Sequence, residues 1–261
     1  GSLWKNILVF SLSLMMTQML EVLFNLSDVA IAGKYADYIA LGAVGSTALL
    51  VSLFTGILIG MGAGVNVRTA HQLGAEKTSG SSETVSRTVY SGLIVCLIIG
   101  IILCLVCNIF ARPMLETLKT KDELIESAVL YLKIYALGMP AMAVYNFGNG
   151  VLSACGETKK PLVYLSIAGV LNVILNIFFV VVCKKAADGV AIASVIAQYL
   201  SASMIMCHLL RRKDSCKLRL SNKYFDTSAC GGVLMIGIPT GMQNAIFAVA
   251  NLFVQTGVNH F

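Results

Sequence analysis

Apolar residues run along this chain in long blocks separated by short polar ones. Seven blocks, at 7–33, 39–67, 85–110, 125–152, 162–183, 190–210 and from 230 to the end, are each long enough to cross a bilayer as an α-helix. The pattern predicts an all-α polytopic membrane protein. The first block is far longer than the apolar core of a secretory signal and belongs to the mature protein on that reading. Gly138-Met-Pro140 falls inside the fourth block, where proline removes a backbone donor and predicts a bend or break. Gly56, Gly60, Gly62 and Gly64 form a run of small residues in the second block and predict close helix contact.

Composition agrees that lipid is the solvent. Hydrophobic residues make up 57% of the chain and charged ones 12%, and the mean hydropathy is +0.82; soluble domains carry about a quarter charged residues. The charges that remain are unevenly placed. The N-terminus and the second, fourth and sixth loops hold twelve Lys and Arg, and the other loops hold six. Basic residues favour the cytoplasmic side, so the N-terminus is expected there, in a cell membrane of the bacterial inner-membrane kind. This asymmetry accounts for much of the net charge of +6. Arg211, Arg212 and Lys213 are accordingly a topology signal or a contact with anionic membrane lipid, and no nucleic-acid partner is expected. Lys133 reads as a snorkelling side chain near a helix start.

No enzyme is expected: the chain has no GxSxG, HExxH or phosphate-binding loop, and its three histidines do not cluster in sequence. No cofactor is implied. Most cysteines lie in or beside apolar helices, where a thiol behaves as a small hydrophobe, and Cys104-Leu-Val-Cys107 lacks a second ligand pair.

Against this apolar background a few polar side chains stand out. Asp28 lies in the first block with no Lys or Arg between Lys5 and Lys34. An acid near the middle of a spanning helix costs roughly 2.5–3.5 kcal/mol to insert, so it faces a bundle interior or a watery cavity. Glu21, Asn25 and Asp28 are spaced i, i+4, i+7 and share one helical stripe, a candidate cation site. Asn172 and Asn176 are i, i+4 on another apolar helix and need partners away from lipid, either as glue between helices or as ligands. A carboxylate with amide carbonyls makes a hard oxygen shell suited to Na⁺, expected at Asp28, Asn172 and Asn176; the carboxylate alone can hold a proton. Met15, Met16, Met19, Met139, Met142 and Phe147 are candidates for an adaptable cavity wall, with Glu21 able to hold a cationic substrate.

The stretch 11–35 can be laid on 237–261 without gaps, matching Met16 with Met242, Asn25 with Asn251 and Leu26 with Leu252. This weak repeat suggests that the seventh helix opens a second copy. The expected organisation is a six-helix bundle with its following cytoplasmic loop over 1–220, then the loop end and first helix of an incomplete C-terminal bundle over 221–261, within a protein of about twice six helices.

Five segments carry a family likeness. Asn25-Leu-Ser-Asp28-Val-Ala-Ile-Ala-Gly33, Gln72-Leu-Gly-Ala75, Gly156-Glu-Thr-Lys159-Lys-Pro161, Leu171-Asn-Val-Ile-Leu-Asn176 and Gly189-Val-Ala-Ile-Ala-Ser194 resemble, in order and spacing, the multidrug and toxic compound extrusion (MATE) transporters. The resemblance implies two six-helix bundles around a V-shaped cavity, with export of small organic cations driven by inward H⁺ or Na⁺. This chain would supply the N-terminal bundle and the remaining C-terminal bundle would be its partner. The resemblance also implies that Asp28 couples the cation, together with Asn172, Asn176 and Ser194. Two departures stand out: some members carry Asp where this chain has Asn176, and some carry a helix-seven acid where it has Phe247, so the C-terminal-bundle site of those members is expected to be absent; Glu21 stands where Gln is expected in many relatives. The alternative is a flippase for a lipid-linked oligosaccharide, whose anionic cargo would call for Arg or Lys inside the cavity, where the helix interiors offer acids.

Overall fold

The computed structural model describes residues 3–79 and 83–258, with some side chains near the two ends left undescribed. Among these residues the chain forms eight α-helices: α1 (Leu3–Tyr35), α2 (Tyr38–Ser79), α3 (Glu83–Thr117), α4 (Asp122–Ala136), α5 (Met139–Ala154), α6 (Lys159–Ile177), α7 (Ala187–Arg211) and α8 (Thr227–Val258). The last turn of α6 widens into a π-helical stretch, Phe178–Val182. Helices α2, α3, α6 with its π extension, and α7 are each long and apolar enough to span a membrane. The fourth apolar block is split: α4 and α5 meet at 44° across the Gly138-Met-Pro140 step, a bent pair that is together long and apolar enough to span. Helices α2 and α3 run past their apolar blocks, to Ser79 and Thr117, and α3 carries Pro113 past the end of its block.

Turn chemistry fixes several ends. Asp37 Oδ1 accepts the Ala40 amide at 2.8 Å and caps α2, and Asp226 Oδ1 accepts the Ser228 amide at 2.8 Å and caps α8. Helix α5 closes in a Schellman motif: Gly156 has φ +80°, its amide reaches Ser153 O at 2.9 Å, and the Glu157 amide reaches Leu152 O at 2.8 Å. Helix α3 ends the same way, but with Lys119 at φ 55° in the glycine position.

The glycines of α2 serve two neighbours. Gly56, Gly60 and Gly64 face α8, and Gly62 faces the opposite way, toward α5. A Cβ at Gly60 would lie 2.2 Å from the Gly241 nitrogen, and one at Gly64 would lie 2.5 Å from the Val233 carbonyl oxygen, so the α2 and α8 backbones touch. Across the other face, a Cβ at Gly150 would lie 2.3 Å from the Gly62 oxygen. With no lipid-exclusion force between helices inside a bilayer, this close backbone packing supplies the attraction.

Candidate membrane-buried carboxylate site

Three helices carry the site. Helix α1 brings Asp28, α6 brings Asn172 and Asn176 from consecutive turns, and α7 brings Ser194. Gly169, one turn before Asn172, sets how near α1 comes to α6: a Cβ there would meet the Phe24 ring at 1.7 Å. Phe24 in turn lies one turn before Asp28, so the slot at Gly169 seats the carboxylate against the asparagines.

The four side chains form one buried network, and none is more than 5% exposed. Asn176 Nδ2 donates to Asp28 Oδ1 at 2.6 Å and to Asn172 Oδ1 at 3.2 Å. Ser194 Oγ lies 2.8 Å from Asp28 Oδ2 and 3.1 Å from Val190 O; its single proton goes to the nearer, charged acceptor. Asn172 Nδ2 donates to Ser194 Oγ at 3.2 Å. The carboxylate thus accepts two hydrogen bonds, one on each oxygen. Asn176 Oδ1 remains buried without a hydrogen-bond partner. A buried carbonyl oxygen in that condition, beside a carboxylate, suits a cation or a protonated partner. Among the described residues no three His, Cys, Asp or Glu side chains converge as a metal site of the transition-metal kind.

Beside the network lies a cavity of about 630 Å³ including its open mouth. Helix α1 lines it with Glu21, Phe24 and Asp28, α6 with Leu165, Ala168 and Asn172, α7 with Ser194, Ala197, Gln198 and Ser201, and Thr55, Tyr135, Met142 and Tyr145 complete a largely apolar wall with a few polar groups. Among the described residues, that wall holds two carboxylates and no Lys, Arg or His.

A family model, MatE, matches residues 13–178. The chain belongs to the MatE family. Curated MatE relatives include a probable multidrug resistance protein, YpnP, of Bacillus subtilis, 25% identical across the whole chain and 57% of that protein. The probable multidrug resistance protein NorM of Thermotoga maritima is 23% identical over 98% of the chain and 56% of its own length. The chain spans about half the length of the curated relatives it matches. A crystal structure of MATE in the bent conformation superposes with a TM-score of 0.88 at 21% identity, over 98% of this chain and 56% of that one. The MatE fold is therefore present here over about half of that chain, in a multi-pass membrane protein.

Asp28, Asn172, Asn176 and Ser194 meet in one cluster, and Glu21 and Met142 face the adjoining cavity. The Asn25 side chain lies outside the described residues. Met139 and Phe147 do not reach the cavity: both are sealed in the core, where the Phe147 ring packs on Gly92 and the Met139 backbone abuts Gly100, both of α3. The face of α5 that carries them is turned away from α1. Met15, Met16 and Met19 are exposed along α1 and are absent from the wall. Sequence reasoning missed Tyr135, Tyr145, Thr55, Gln198 and Ser201. For the last two a signal existed, since Ser194, Gln198 and Ser201 repeat the i, i+4, i+7 spacing that singled out Glu21, Asn25 and Asp28. Gln198 also presses on the α4–α5 break, where a Cβ at Gly138 would lie 1.6 Å from its Oε1.

Proposed function

We propose that this chain is the ion-coupling half of a secondary antiporter that exports small organic cations in exchange for H⁺ or Na⁺. The observation that carries the reading is the Asp28 carboxylate, held by Asn176 and Ser194 at the edge of an acidic, aromatic cavity. On this reading the coupling ion enters from outside and binds at Asp28, as a proton on the carboxylate or as Na⁺ shared with the asparagine oxygens. Its arrival neutralises the charge. The Asn176 and Ser194 hydrogen bonds to Asp28 weaken once the carboxylate is neutral, because charge-assisted bonds are about twice as strong as neutral ones. Helix α1 then repacks against α6 and α7 and the cavity releases its cation outward. Residues 1–220 are the bundle that does this, α8 opens the partner bundle, and the N-terminus lies in the cytoplasm of a bacterial cell.

The cavity chemistry favours cationic cargo. Glu21 and Asp28 supply negative charge, and Phe24, Tyr135 and Tyr145 supply aromatic faces that attract cations. A pyrophosphate-linked cargo would find no base on the described wall, so the flippase reading has no support from it. Expressing the full-length protein in an efflux-deficient bacterium tests the proposal through ethidium accumulation, with H⁺ and Na⁺ gradients collapsed separately. Wild type should lower accumulation and be disabled by loss of one gradient, and Asp28→Asn should accumulate dye like the empty strain. Undiminished efflux by Asp28→Asn would refute the role of the carboxylate.

A further inference from the structure

The segment joining α7 to α8 is seated on the bundle along most of its length. Arg212 donates to Glu157 Oε1 at 3.0 Å and to Asp214 Oδ1 at 2.8 Å. Lys160 Nζ lies 3.0 Å from the other Glu157 oxygen. Ser215 Oγ donates to Glu76 Oε1 at 2.5 Å, the Leu218 amide reaches Leu209 O at 3.1 Å, Tyr90 donates to Asn222 Oδ1 at 3.0 Å, and the Asp226 amide reaches Ser91 Oγ at 2.9 Å. In the middle of this seam Cys216, 2% exposed, is disulfide-bonded to half-buried Cys155 at the end of α5.

Two facts make this bond notable. Among the described residues it is the one disulfide in the seam, where the remaining contacts are hydrogen bonds and the ion pairs of Arg212 and Lys160 with Glu157. It also lies on the face that the Lys and Arg count expects to be cytoplasmic, where thiols are kept reduced and a disulfide is usually a sensor and not a staple.

We propose that Cys155 and Cys216 are a thiol–disulfide latch that sets how freely the connector leading into α8 lifts from the first bundle. The consequence for transport rests on the antiporter reading above; the bond and its effect on the connector do not. Closure needs a low-molecular-weight disulfide such as glutathione disulfide, RSSR. The more accessible Cys155 thiolate attacks it, forming a Cys155–SR mixed disulfide and releasing one thiolate. The buried Cys216 thiolate then displaces the second. In sum two cysteine thiols and RSSR give the Cys155–Cys216 disulfide and two RSH: the cysteine sulfurs are oxidised, RSSR is reduced, and the two thiol protons end on the departing thiols. Excess reduced thiol reverses both steps. Closed, the latch pins the connector ten residues before the Asp226 cap of α8; open, it leaves that stretch to its weaker contacts.

The full-length protein in lipid nanodiscs, equilibrated in glutathione buffers from reducing to oxidising, supplies the test. Mass spectrometry reads the cross-linked Cys155–Cys216 peptide, and hydrogen–deuterium exchange reads the backbone over 212–238. The linked peptide should appear under oxidising and vanish under reducing conditions. Exchange over 212–226 should rise several-fold on reduction while 227–238, packed on α2, stays protected, and both Cys155→Ser and Cys216→Ser should show the reduced wild-type pattern in every buffer. A linked peptide found at no glutathione ratio would overturn the latch, as would one that survives full reduction of the folded protein, or equal exchange in both states. Dye efflux in matched vesicles is read alongside: its absence in every redox state would count against the antiporter reading, while the peptide and exchange data still decide the latch.

Discussion

Ser194→Ala removes one atom from the buried network and two of its bonds. Ser194 Oγ donates to Asp28 Oδ2 at 2.8 Å and accepts from Asn172 Nδ2 at 3.2 Å, and both partners are only 4% exposed. Losing a hydrogen bond to a charged group costs about 1.5–3 kcal/mol and losing a neutral one about 1 kcal/mol, giving about 2.5–4 kcal/mol in all if no water takes the place of the hydroxyl. The same change made beside Asp28→Asn should cost only about 2 kcal/mol, because the amide at position 28 accepts a neutral bond of about 1 kcal/mol in place of the charge-assisted one. The double-mutant cycle should therefore show a coupling of about 0.5–2 kcal/mol between positions 28 and 194. Thermal unfolding of the purified full-length protein in detergent, followed by size-exclusion fluorescence for wild type, both single variants and the double, supplies the four stabilities. Additivity within about 0.5 kcal/mol would show that Ser194 and Asp28 do not share a bond and would refute the network as described.

Other consequences are as specific. Gly60→Ala should destabilise by about 1–3 kcal/mol, because its Cβ meets the Gly241 backbone and cannot be accommodated by a rotamer change, whereas Gly45→Ala, with open space around it, should gain about 0.5–1 kcal/mol in the same thermal assay. Lys119→Gly should stabilise by about 1 kcal/mol, since the αL conformation at the end of α3 is strained for any side chain; a loss would mean that the Lys119 side chain makes a compensating contact. At the α5–α6 turn, burial alone would raise the Glu157 carboxyl, but the ion pairs with Lys160 and Arg212 outweigh it and hold it below the usual carboxylate range. A group lowered on folding stabilises above its unfolded value of about 4.3 and loses that contribution as pH falls through its folded value. Glu157→Gln should thus be less stable than wild type at pH 7 and converge with it only below about pH 4; a gap unchanged at pH 3 would show that the charge plays no part.

The helices and the carboxylate cluster were legible because lipid makes polar residues conspicuous. Asp28, Asn172 and Asn176 each interrupt an apolar run, and their helical spacing already fixes which faces must turn inward. The break at Gly138-Met-Pro140 was legible for the equally local reason that proline removes an amide. What stayed hidden depends on packing between distant segments. Met139 and Phe147 look like cavity residues from composition, but rotation of α5 about its axis, set by Gly92 and Gly100 on α3, points them into the core. The four glycines of α2 read as one stripe until the positions of α5 and α8 divided them between two faces. Tyr135 and Tyr145 are ordinary helix aromatics until the bent α4–α5 pair turns them toward α1. Cys155 and Cys216, 61 positions apart, carry no local sign of pairing.

The central claim is that the buried Asp28 carboxylate couples ion entry to cation export. It is tested most directly in proteoliposomes of the full-length protein, by adding an organic cation and recording H⁺ and Na⁺ movement for wild type and Asp28→Asn. The account predicts movement of one ion opposite to the cation in wild type and none in the variant, whose fold and cation binding persist. Ion movement of equal size in Asp28→Asn, or cation flux in wild type that moves neither ion, would contradict it.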